Sequence, residues 1–255
     1  MLSRQEFVSI LVNVIDEDVF TPVYRKRSVG GAIYGWHARL EAYFWPTPET
    51  SIDAAQSELR PLLERGQQLA ETRNSWTNDM CSDAVSWATA VLKWGGVPQK
   101  NVTADVVRAV IDAAISRDPG VAPMNSGWTK VAAFATAHLE SQRGANAIWD
   151  SRVSWSIVRR ADRILSEAGI RSIPPWLSEV GKVPGRGGTR WSQKLNLPWP
   201  LAYRRWSSHF AATDLIHDIR DELNRRGLAK LHRLRGTVDP WTTRSVEMVL
   251  FMDGY

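Results

Sequence analysis

Two residues in the stretch Pro123 to Arg160 carry side chains suited to chemistry on a sugar carbon. Lys130 stands near the start of one predicted helix, and Asp150 stands at the mouth of the next, twenty positions on. A lysine in bulk water has a pKa of about 10.4 and is a poor nucleophile at neutral pH. The positive end of a helix and apolar surroundings both favour the neutral, nucleophilic amine. Lys130 is followed by Val131, Ala132 and Ala133. An aspartate at a helix N-terminus has its charge stabilised by the macrodipole. It can face a positive charge developing on a sugar, and it can assist loss of a proton from the lysine. The plainer role of an aspartate directly before a helix is an N-cap, and that of a first-turn lysine is a solvated surface residue.

The elements that must position this pair are helical. Ser3 and Glu6 form a capping box before an apolar stripe of Phe7, Ile10, Leu11 and Val14. The segment Thr21 to Gly35, with Arg25, Lys26 and Arg27, reads as a loop, and Trp36 to Tyr43 as a short helix. Ser51 or Asp53 opens a helix that Pro61 is expected to divide. Asp79 to Lys93 is a clear helix stopped by Gly95-Gly96, and Thr103 caps another that ends at Asp118-Pro119-Gly120. Next come a helix from Thr129 to Glu140, a turn at 143–146, and a helix from Asp150 to about Ala168 ended by Gly169. Ser207 to Arg226 is helical, and Asp239 with Pro240 is expected to start the last helix. No segment has the alternation of a strand network. The fold class is all-α with one minor hairpin, in a single domain 1–255 or two helical lobes with the site between them.

The string Gly127-Trp128-Thr129-Lys130-Val131-Ala132, followed by Asp150, resembles the helix-hairpin-helix DNA glycosylases, and within them the 8-oxoguanine glycosylase branch. The match covers roughly residues 103 to 165. It is also similar to glycosylase-fold proteins found beside bacterial antiphage systems, which keep a Thr-Lys and a Trp-Asp-Ser-Arg arrangement. The resemblance implies a helix-hairpin-helix glycosylase fold. It makes Lys130 the nucleophile and Asp150 the assisting carboxylate, with double-stranded DNA as partner and no cofactor or metal. The family's hairpin usually reads Pro-Gly-x-Gly before the lysine; here Asn125-Ser126-Gly127-Trp128 occupy those places. Asn125, Ser126 and Gly127 are then the hairpin's candidate DNA contacts. An enzyme of this kind flips a base from the stack, so it needs phosphate grips and an aromatic pocket. Lys182, Arg186, Arg190 and Lys194, in a glycine-rich basic loop, and Arg152 are the candidate grips; Trp128 and Trp149 are candidates for the base pocket.

Composition bounds the reading. A hydrophobic content of 44% supplies a core, and a net charge of +5 permits a polyanionic partner. The single cysteine, Cys81, excludes an internal disulfide and a cysteine-rich zinc site. No run of about 18 apolar residues exists, and the N-terminus lacks a cleavage pattern, so a cytoplasmic protein without a membrane span is expected. Thirteen tryptophans without a fixed period read mainly as core, with a few available for stacking. Two other function classes fit the same residues. One is a catalytically silent glycosylase fold that binds modified nucleic acid; the other is an all-α interaction module of a defence complex with tryptophans at its interfaces.

Overall fold

The structure is a computed structural model and describes residues 2–185, 194–228, 230–232 and 237–254. The described residues form an all-α protein with nine α-helices: α1 Arg4–Glu17, α2 Gly35–Glu41, α3 Ile52–Glu71, α4 Asn78–Trp94, α5 Ala104–Ser116, α6 Trp128–Thr136, α7 Ser151–Glu167, α8 Trp206–Arg225 and α9 Thr243–Asp253. Two small antiparallel hairpins complete it, β1 Val23–Tyr24 with β2 Arg27–Ser28 and β3 Lys230–His232 with β4 Thr237–Asp239. None of the described helices is long and apolar enough to cross a membrane.

Local chemistry explains most helix starts. The Ser3–Glu6 capping box forms on α1, and Ser51, Thr77 and Thr103 each accept a bond from a first-turn amide of α3, α4 and α5. Three expectations change. Pro61 lies inside an unbroken α3; Pro61 and Ser57 are both exposed, so the carbonyl that loses its donor faces water. Helix α9 is capped by Thr242, whose capping box with Ser245 satisfies the first amides, while Asp239 belongs to β4. The segment 21–35, read as a loop, holds the β1–β2 hairpin.

The apolar residues collect into two clusters. One is built mainly from α1, α2, α7, α8 and α9, the other from α3, α4, α5 and α6, with Ile148, Trp206 and Phe210 inserted from the first side. Helix α6 is buried along its whole length, its polar Thr129, Lys130 and Thr136 included. It can lie close to α3 because Gly66 has no side chain: a Cβ there would sit 2.8 Å from the Phe134 carbonyl oxygen.

Candidate active site

Helix α6 carries Lys130 in its first turn, and the N-cap of α7 is Asp150. The pair therefore bridges the two apolar clusters. Lys130 is 4% exposed and Asp150 8%. The Lys130 Nζ stands 3.5 Å from Asp150 Oδ2 and donates to the Ser126 carbonyl at 3.1 Å. Asp150 divides its two oxygens between two tasks. Oδ1 accepts from the Arg152 and Val153 amides at 3.0 and 3.2 Å, which is the N-cap, and Oδ2 faces the lysine.

The lysine stem is held by the end of α4. A Cβ on Gly95 would fall 2.2 Å from Lys130 Cδ and 2.6 Å from Cε, so only glycine leaves room for the stem in this position. The turn before α6 is closed by Asn125, whose Oδ1 accepts from the Gly127 and Trp128 amides at 2.8 and 3.2 Å. These are amides that a helix start leaves without intrahelical partners.

Asp150 is positioned by a connector with no regular structure, Gly144 to Trp149, most of it buried. Buried backbone polar groups need partners, and here side chains supply several of them. The Asn146 amide donates to Thr136 Oγ1, the Ala147 amide to Thr213 Oγ1, and the Ile148 amide to Glu247 Oε2. His217 Nε2 meets the Ala145 carbonyl at 2.7 Å, and His209 Nε2 meets Asn146 Oδ1 at 3.0 Å. Asn146 Nδ2 donates to the Ala114 carbonyl, which leaves its Oδ1 as acceptor and places the His209 proton on Nε2. The His209 Nδ1 then has no partner. Burial, reinforced by Arg117, pushes this imidazole down from 6.5 to about 3. Thr136 also donates to the Ala132 carbonyl, and there α6 gives way to the 3-10 turn Ala137–Gln142. The helix is thus shorter than the expected Thr129 to Glu140.

The pair opens into a cleft of about 320 Å³ whose walls include Trp45, Gly96, Gln99, Arg152, Gly185 and Tyr203. Trp45 is anchored by its Nε1 donating to the Trp94 carbonyl at 2.8 Å. The Arg152 guanidinium lies over Trp45 and Phe251 at 5.2 and 4.6 Å from their ring centres. The Gly185 wall is tied to α7, since Ser154 Oγ donates to the Gly181 carbonyl and accepts from the Val183 amide. Asp162, further along α7, accepts from the Asn196 and Leu197 amides and from Trp199 Nε1, fixing the chain that leads to Tyr203.

Behind the pair is a chamber of about 30 Å³, lined by Lys130, Asp150, Tyr43, Arg244 and Glu247 among others. Arg244 pairs with Glu247 and lies over Trp94 and Phe134, while its Nη2 is buried without a partner. Burial pushes the Glu247 carboxyl up, and Arg244 offsets this only in part.

The residues singled out in the sequence are placed unevenly. Lys130, Asp150, Ser126 and Arg152 line the cleft. Asn125 and Gly127 build its turn. Lys182 is half-buried, with its backbone bonded to Pro200 and Ala202, and Lys194 is exposed. Arg186 and Arg190 lie outside the described residues. Trp128 and Trp149 are 3% and 2% exposed and belong to the two cores; neither faces the cleft. Its aromatic walls are Trp45 and Tyr203. Trp128 lies two positions before Lys130 on a helix and Trp149 one position before Asp150 on an extended connector, and both spacings turn the side chains to opposite sides, which is why nearness in sequence misled. Gly95 read only as a helix stop, and nothing local marked Tyr203 or Arg244.

Comparisons with protein-family models, with curated proteins and with solved structures found no match to this chain.

Proposed function

We propose that the protein is a DNA glycosylase with AP-lyase activity, built on a helix-hairpin-helix glycosylase fold. Helix α5, the turn at 117–127 and α6 form the helix-hairpin-helix. The observation that carries the reading is the Lys130–Asp150 pair, held 3.5 Å apart by two different packing units at the floor of an open cleft. An aspartate that only capped α7 would not need a second oxygen turned toward a buried lysine. A volume of about 320 Å³ is in the range of small-molecule sites, roughly 300–1,000 Å³, so an extruded nucleotide fits the scale of the cleft. Trp45 and Tyr203 supply faces on which a base stacks.

In the proposed reaction Asp150 takes one proton from the Lys130 ammonium, and the resulting amine attacks C1′ of the extruded nucleoside. The C1′–N bond breaks with its electron pair on the base, which takes up the proton held by Asp150. Asp150, again a carboxylate, faces the positive charge on the sugar and Nζ. A proton passes from Nζ to O4′ as the ring opens to a protonated imine between Nζ and C1′; loss of a C2′ proton to water and departure of the 3′ phosphate with the C3′–O electron pair cut the strand. An oxidised purine and a hypermodified phage base are the substrate classes to test, the second matching a role in antiphage defence.

A second reading, a silent binder of modified nucleic acid, draws on one observation. The Gly127 and Trp128 amides donate inward to Asn125, so the hairpin does not offer them to a phosphate. Borohydride trapping separates the two. The native chain is expected to form a covalent adduct with an abasic-site duplex, and with the duplex bearing its target base, while Lys130→Gln forms none. Duplex binding with neither adduct nor base release would establish the silent binder instead.

A further inference from the structure

If the α5–α6 hairpin turns its amides inward, a bound strand must be gripped elsewhere, and the distribution of unpaired charge shows where. Most arginines are answered by carboxylates, as in Arg4–Asp218, Arg73–Asp112, Arg117–Asp214 and Arg205–Glu179. Arg25, Lys26 and Arg27 are different. All three are exposed, and among the described residues none has a carboxylate partner; Arg25 only lies over its neighbour Tyr24, at 5.1 Å. They form the tip of the β1–β2 hairpin, in which Tyr24 pairs with Arg27 across a two-residue turn. The two turn residues have φ of +48° and +67°. This type of tight hairpin favours Asn-Gly, because side chains other than asparagine and glycine fit the left-handed region poorly. An arginine and a lysine there sacrifice local stability to hold two cations at an apex, and strain of this kind collects at functional positions.

The base of the hairpin packs on the segment that carries a cleft wall. Tyr24 meets Phe44 edge to face at 5.9 Å, and Phe44 precedes the cleft wall Trp45. Two more exposed cations without carboxylate partners among the described residues, Lys100 and Arg204, each follow a cleft-lining residue, Gln99 and Tyr203, and Arg204 lies over Tyr203 at 5.7 Å. Asp150 is the one carboxylate among the described residues lining the cleft. We infer that the Arg25–Lys26–Arg27 hairpin is a phosphate grip for the nucleic-acid strand flanking the nucleotide in the cleft, assisted by Lys100 and Arg204. The inference rests on a nucleic-acid partner and goes beyond it by naming the gripping element.

The test exploits the strain. Arg25→Asn with Lys26→Gly removes two charges while installing the residues the turn prefers, so weakened binding cannot be ascribed to misfolding. Binding of a labelled duplex with a tetrahydrofuran abasic site is measured by anisotropy over a series of KCl concentrations. The slope of log affinity against log salt is expected to become shallower by about two, at roughly one for each phosphate no longer gripped. Affinity is expected to fall several-fold, with a melting temperature equal to or above that of the parent. A control, Arg60→Ser with Arg171→Ser, removes the same charge from two exposed positions, on α3 and just after α7, that neither line the cleft nor flank a residue that does, and is expected to keep the parental slope. An unchanged slope in the hairpin variant, or an equal loss in the control, overturns the grip while leaving the glycosylase reading intact. Absence of salt-dependent duplex binding by the native chain overturns both.

Discussion

Asp150 and Asp253 are both buried carboxylates facing cations, and both engage α7, yet they are answered very differently. Asp253 accepts from Arg39 and Arg160 on Oδ1 and from Ser156, Arg159 and Arg160 on Oδ2. Arg160 and Arg163 also reach Asp18. Burial alone would push the Asp253 carboxyl up, but these arginines hold it far below the usual carboxylate range. This cluster ties α2, α7 and α9 together with rigid guanidinium forks. Asp150, by contrast, gives one oxygen to the cap and faces a lysine across 3.5 Å. Lys130 has three donors, and two of them are used within the described residues. Saturated charges hold a structure, whereas a partly answered pair at a cleft floor keeps capacity for a ligand.

The largest effect is expected at the saturated site. Asp253→Ala strands arginines in the interior and should lower unfolding free energy by about 3–5 kcal/mol, measured by urea denaturation. A drop below about 1 kcal/mol would erase the contrast with Asp150. Acidification should come next. His209 has an ordinary value of 6.5 and sits at about 3 in the fold, so below pH 6.5 the unfolded chain holds a proton that the folded chain refuses. Its contribution is complete above about pH 6.5 and is lost as pH falls from there toward about 3, at up to about 1.4 kcal/mol per pH unit. Melting temperatures across this window should slope downward with acid, and His209→Gln should make the slope shallower, the remainder coming from His217, which burial also holds below its ordinary value, and below about pH 4.5 from Glu222.

Two substitutions at the cleft are expected to affect activity far more than stability. Asparagine caps a helix as well as aspartate does, so Asp150→Asn should lose only the ion pair with Lys130, a smaller cost than Asp253→Ala because one lysine rather than three arginines is left, while abolishing the borohydride adduct. Asp150→Ala should lose the adduct and about 1 kcal/mol more stability than Asp150→Asn, for the cap. Equal adduct yields from native and Asp150→Asn chains would reduce Asp150 to a cap. The smallest structural change is Gly95→Ala. Its φ of −73° suits any residue, so the added methyl tests only the contact with the Lys130 stem. Folding should be nearly unaffected, and adduct formation should slow by roughly 100-fold, since displacing a reacting group by about 1 Å costs that much. An unchanged rate would show that the lysine leaves Gly95 freely when it reacts.

The helices are legible in the sequence because their signals are local. Ser3, Thr103 and Gly169 mark helix ends through bonds or dihedrals within a few residues, and the apolar spacing of α5 and α8 fixes their buried faces. Lys130 and Asp150 are legible because each lies at a helix start, Lys130 in the first turn of α6 and Asp150 at the N-cap of α7. Pro61 misleads because its effect depends on which side of α3 meets water. The start of α9 is hidden because the chain before it turns into β4.

By itself the sequence determined an all-α chain, the order of its helices, and the two side chains to suspect. Only the tertiary structure decided that Trp128 and Trp149 pack in cores while Trp45 and Tyr203 wall the cleft, that Gly95 makes room for the lysine, and that Arg159 and Arg160 pair with Asp253. The Asp253 cluster joins residues as far as 214 positions apart, as in Arg39 to Asp253. A side chain's neighbours at such separations are set by how two apolar clusters close on each other, and no local pattern of residues encodes that closure.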